Sequence, residues 1–170
     1  MTSNSTTSVR SLPFWWRVTR YDPARRDDRG AYRGDTWTSV SDVGAEFDGE
    51  LLTLAEYERV EAAYVEAFAS FAVGSDVERL EIRGLEIGDD LKEGAIVSLD
   101  EAREIVRRML REEVICKLED SHGRFALHVG FDLYMYVGSE RSCLDAIARS
   151  RALGLFVEGD SPSPQLSDAE

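Results

Sequence analysis

From residue 53 onward the apolar positions switch between two periods. Leu54, Tyr57, Val60, Tyr64, Ala67, Phe68 and Phe71 recur at three- and four-residue steps, which predicts a long amphipathic helix. Thr53-x-x-Glu56 has the spacing of a capping box at its start, and Gly74 is a stop signal at its end. A second helix is predicted from Ser98-x-x-Glu101, with Leu99, Ala102, Ile105, Val106, Met109 and Leu110 on its buried side and Glu104 in helical reach of Arg108. Ser142 is the expected cap of a third helix through Leu153, ended by Gly154.

Between these stretches the pattern shortens to period two. Strands are predicted at 14–21, 77–85, 114–119, 124–129, 133–137 and 155–158. In the first, Trp15, Arg17 and Thr19 fall on one side, and Phe14, Trp16 and Val18 on the other. Turn signals at Asp22-Pro23, at 120–123 and at Phe131-Asp132 separate the strands. The stretch 37–43 fits a short strand and a helical turn equally well.

Adjacent strands in the middle, with helices between the outer ones, imply a single α+β domain. The expected architecture is an antiparallel or mixed sheet of about five to six strands, with two or three helices packed mainly on one face. It spans 11–158, after an N-terminus at 1–10 and before a Pro/Ser/acidic tail at 159–170, both of which read as disordered.

Charge changes this picture. The chain carries −13 overall, yet residues 1–34 hold seven arginines and sum to +4, so residues 35–170 carry −17. A body this acidic repels phosphate, which argues against a nucleic acid partner and for a basic protein partner. Arg25, Arg26, Arg29 and Arg33 are expected to lie along the acidic helices or to stay solvated beside Asp27 and Asp28. Arginine outnumbers lysine 18 to 2, which points to a GC-rich bacterial genome. No apolar run approaches a membrane span or a secretory h-region, so a cytoplasmic location is expected. Cys116 and Cys143 stand in no ligand-like spacing and read as free buried thiols.

The search for chemistry yields little. Phosphate-loop and dinucleotide fingerprints are absent, and the two histidines and two cysteines match no compact metal site, so neither cofactor nor metal is expected. A Cys116–His128 dyad fails on parity: a two- or four-residue turn at 120–123 puts Cys116 with Leu118 and Leu127, and His128 on the opposite face beside Lys117. No catalytic residue is assigned.

The leading expectation is a non-enzymatic interaction domain, in the form of an immunity protein or antitoxin. Its acidic face would comprise Glu58, Glu61, Glu66, Asp89, Asp90 and Glu93. The competing expectation is a small-molecule or peptide pocket, enzymatic in one version, lined by Trp15, Trp37, Tyr134, Tyr136 and Arg141. Oligomeric state is not readable from this pattern.

Overall fold

The computed structural model describes residues 11–164. The expected disorder at 1–10 and at 165–170 therefore lies outside the described residues. Strand β1 (Phe14–Thr19) is followed by a long loop and a small hairpin of β2 (Glu46–Phe47) and β3 (Glu50–Leu51). Then come α1 (Leu54–Gly74), β4 (Arg79–Ile87), β5 (Ile96–Ser98), α2 (Leu99–Leu110), β6 (Ile115–Glu119), β7 (Phe125–Val129), β8 (Met135–Ser139), α3 (Leu144–Ala152) and β9 (Phe156–Gly159).

Seven strands form one sheet in the order β5-β4-β6-β7-β8-β1-β9. Every neighbouring pair in it is antiparallel, so the mixed alternative falls away and the sheet is one or two strands wider than expected. The strand beyond the six predicted ranges is β5, and a separate two-stranded hairpin, β2–β3, also lies outside those ranges. β5 pairs with β4 only from Ile96 to Ser98, and its last residue is also the cap of α2. The β2–β3 hairpin turns at Asp48-Gly49, both at positive φ (53° and 80°), the conformation that a two-residue hairpin requires. The undecided stretch 37–43 contains a 3-10 turn at Val40–Asp42.

The helices begin largely as the sequence dictates. Thr53 Oγ1 accepts from the Glu56 amide at 3.1 Å, and Ser98 Oγ from the Glu101 amide at 3.2 Å. Glu56, however, turns to Arg59 at 2.7 Å instead of closing a capping box. Glu104 pairs with Arg107 at 2.9 Å, one position short of the expected Arg108. At α3 the expected Ser142 cap is replaced by Cys143, which sits in the left-handed region at φ 46° and makes no side-chain cap bond. Its thiol is drawn inward, 3.5 Å from Ser75 Oγ and 3.6 Å from Ser139 Oγ, so the chain enters the helix one residue later.

All three helices cover one face of the sheet, with α1 packed against both α2 and α3. Tyr57, Tyr64, Phe68 and Phe71 of α1 meet Leu80, Ile82, Leu118, Leu127, Met135, Val137 and Val18 in one core. Burying each large side chain there stabilises the fold by roughly 1.5–3 kcal/mol.

Residues of opposite parity face away from the helices. Following the cross-strand pairs, Ile96, Glu81, Glu119, Ala126, Gly138 and Trp15 form one row across this outer face. The next row is Arg83, Lys117, His128, Tyr136, Arg17 and Glu158. Trp15 lies flat over Gly138, where an added Cβ would stand 2.7 Å from the indole. The segment after β9 is not loose as far as Pro164: the Ser161 amide donates to Trp15 O at 3.3 Å, and Ser163, 1% exposed, is hydrogen-bonded to His128 Nδ1 at 2.9 Å. Among the described residues, this strap covers the β1–β8–β7 part of the outer face and leaves β4 and β6 open.

Candidate interaction site

A concave feature rich in carboxylates and aromatic rings lies beside the β2–β3 hairpin. The tight turn at Asp48-Gly49 brings the hairpin back toward the loop after β1, and the Asp48 amide donates to Asp35 Oδ2 at 3.3 Å. Between them opens a cleft of about 340 Å³, walled by Tyr32, Trp37 and Phe47 and by the carboxylates of Asp35, Asp48, Glu50 and Glu56. Arg20 and Arg25 also reach it, so the lining keeps a surplus of negative charge. Trp37 is fixed from two sides: its ring packs 5.8 Å from Tyr57, and the Arg20 guanidinium lies 3.8 Å above it while donating to Trp37 O at 2.8 Å. Beside the cleft, Leu51 is 56% and Leu54 50% exposed.

Of the two arrangements expected for the arginine-rich loop, the structure shows the solvated one for Arg25, Arg29 and Arg33, the last beside Asp27, while Arg26 turns inward. Its arginines do not lie along the acidic helices. Asp27 organises the loop by accepting from the amides of Arg29 and Ala31, each at 2.9 Å, and from Arg33 Nε at 3.3 Å; these bonds hold its carboxyl below the ordinary range. Arg26 donates to Tyr134 Oη at 3.1 Å and to Glu158 at 3.3 Å. Glu158 also receives a two-pronged contact from Arg17, at 3.0 and 2.9 Å. One carboxylate on β9 therefore ties the loop and β1 together.

The six acidic positions singled out above separate into two kinds. Glu61 is 4% exposed and lies between α1 and α2, gripped by Arg111 at 2.7 and 3.0 Å and by Arg107 at 3.4 Å. Glu66 pairs with Arg103 at 2.5 Å, and Asp90 with Arg108 through two 2.8 Å bonds. Glu93 accepts from the amides of Gly84 and Leu85 at 3.1 and 2.9 Å, bracing the irregularity in β4. Glu58 and Asp89 are exposed and carry no ion-pair partner among the described residues. Four of the six carboxylates are thus engaged within the fold, and the hairpin adds a separate exposed acidic group at Asp35, Asp48 and Glu50.

The residues of the alternative pocket are not brought together. Trp37 lines the hairpin cleft on the helix side of the molecule. Trp15 and Tyr136 lie on the outer face beneath the strap, Tyr136 stacked 6.1 Å from His128. Tyr134 joins Tyr21, 5.5 Å away, at the arginine loop. Arg141 stands at the start of α3, 3.8 Å from Asp76. Just before α3, Ser139 Oγ accepts from the Arg141 amide at 3.0 Å and bonds Ser75 Oγ at 2.7 Å, so this strand-to-helix connection is satisfied from within.

Cys116 and His128 face opposite sides of the sheet, because Lys117 is the residue paired with His128. Burial pushes the Cys116 thiol up to about 11, which removes its nucleophilic form at neutral pH. His128 does have a hydroxyl partner in Ser163, a pair that the sequence reading missed because it assigned 159–170 to a tail. The geometry resembles a nucleophile and its base, but Ser163 is buried from any substrate, and burial together with nearby Lys117 lowers His128 to about 4. The pair is a latch for the strap. Among the described residues no group of three or more His, Cys, Asp or Glu side chains is placed to hold a metal ion, and no helix is long and apolar enough to cross a membrane.

Comparison with protein-family models, with curated proteins and with solved structures finds no match to this chain.

Proposed function

We propose that the protein is a non-enzymatic, cytoplasmic interaction domain that binds a basic protein partner and occludes it, in the manner of an immunity protein or antitoxin. The observation that carries this reading is the hairpin cleft. Its carboxylates and aromatic walls suit a lysine or arginine side chain, which gains both charge pairing and ring contact there. Exposed Leu51 and Leu54 beside it supply apolar area, and Glu58, one turn beyond Leu54, extends the charge along the same side of α1. A net charge of −13 steers a cationic partner toward the surface from a distance.

The test is affinity capture by the tagged protein from its native host, beside a variant carrying Asp35→Asn, Asp48→Asn and Glu50→Gln. These changes keep the side-chain shapes, and asparagine tolerates the positive φ of position 48. The expected result is a stoichiometric basic protein that is lost as salt rises and binds the variant at least about tenfold more weakly. Equal retention by the variant would refute the cleft as the contact. Absence of any stoichiometric basic protein at low salt would refute the function.

A further inference from the structure

The β4–β6 part of the outer face, which no other described residues cover, carries an arrangement of charge that a solitary sheet would not favour. Glu81 stands directly across from Glu119, and two residues further along Arg83 stands directly across from Lys117. Like charges facing each other across antiparallel strands destabilise the pair, whereas one exchange between the strands would have set each acid against a base. Internal compensation is incomplete: Arg83 reaches Glu81 at 3.2 Å and Glu93 at 3.9 Å, while Lys117 and Glu119 have no ion-pair partner among the described residues. Three isoleucines frame these charges on the same face. Ile87 pairs across to Ile115, and Ile96 pairs with Glu81; Ile87 is 48% and Ile96 50% exposed. Burial raises the Glu119 carboxyl above its ordinary range, and Glu81 and Glu93 add to the effect while Lys117 and Arg83 oppose it.

The acidic row beside the basic row is self-complementary under a two-fold axis. An axis lying between two such faces, in their plane and perpendicular to the strands, keeps β4 over β4 and β6 over β6 but reverses their direction. Glu81 and Glu119 of one copy then lie over Arg83 and Lys117 of the other, and the same contact repeats by symmetry. We propose that this open sheet face is the interface of a homodimer, with a second copy of this chain as its occupant. The contact rests on two charged rows and a few isoleucines of β4, β5 and β6, so the dimer is weak, forming at about micromolar concentration or above and loosening with salt.

The experiment is sedimentation equilibrium on the full chain and on two double variants whose fold is first checked by circular dichroism. Arg83→Glu with Lys117→Glu makes both rows acidic; Glu81→Lys with Glu119→Lys makes both basic. The wild type should associate with concentration at low salt, and each variant alone should associate at least about tenfold more weakly. An equimolar mixture of the two variants should recover a one-to-one complex, because every acidic row again meets a basic one. A misfolded or merely destabilised variant would not be rescued by mixing. A wild type that stays monomeric up to millimolar concentration, or folded variants that fail to associate when mixed, would overturn the proposal and leave the face to a different partner.

Discussion

Acid should loosen this protein through His128. The ring is 4% exposed, lies beneath the strap, is stacked on Tyr136 and has Lys117 as its cross-strand neighbour. Burial is the main cause, and the Lys117 charge the second, of a fall from the ordinary 6.5 to about 4. The folded state therefore resists a proton that the unfolded chain accepts near 6.5. His128 leaves stability untouched above that value, and stability is lost as pH falls from 6.5 toward 4. At 1.36 kcal/mol per pH unit, about 3 kcal/mol disappears across that window, a large part of the roughly 5–15 kcal/mol that holds an ordinary domain together. The assay is urea unfolding of the wild type and His128→Asn at several pH values between 7 and 4. Asparagine keeps a hydrogen-bonding group near Ser163 but cannot titrate. Carboxylates contribute acid sensitivity to both proteins, so the His128 contribution is the difference between their slopes. The wild type should lose about 2–3 kcal/mol more than the variant over the window. Direct titration of the His128 ring by NMR gives a second readout; a midpoint at or above 6.5, or parallel stability profiles, would refute the argument.

Other consequences are equally open to measurement. Gly138→Ala would drive a methyl into the Trp15 indole at 2.7 Å and should cost about 1–3 kcal/mol of stability by thermal or urea unfolding. Glu61→Ala removes the carboxylate shared by Arg107 and Arg111 between α1 and α2; because both arginines are partly exposed and can turn to water, the expected loss is about 2 kcal/mol. Both cysteines are buried, so a thiol reagent should label neither Cys116 nor Cys143 in the native state at neutral pH, and both once urea is added. Gly49→Ala places a side chain at φ 80° and should cost about 1 kcal/mol while weakening partner capture through the displaced hairpin.

Local rules were legible in the sequence wherever the chain satisfied itself nearby. Thr53 and Ser98 cap their helices because the partner amide is three residues away, and the parity of β6 and β7 followed from the length of the turn between them. Short elements escaped because their signal is divided. Asp48-Gly49 is a strong turn pair, but only two residues on each side are strand, too few to show alternation. β5 was hidden behind the helix signal that starts at its own last residue. Glu61 looked like part of a solvent face because helical spacing assigns one buried stripe, whereas α1 is packed from two sides by α2 and α3. The partner of the arginine loop is Glu158, 132 residues from Arg26, and no local pattern records such a contact.

The position of β1 has a consequence for how the fold is reached. It begins the described chain, yet both of its neighbours, β8 and β9, lie more than a hundred residues later. During synthesis FWWRVT emerges well before either of its partners and must wait, unpaired and strongly apolar, until β8 and then β9 have followed. Chain closure over such distances slows folding, and an aromatic strand without a partner invites association in the meantime. Host chaperone capacity, rather than final stability, should therefore limit the yield of this protein when it is made quickly.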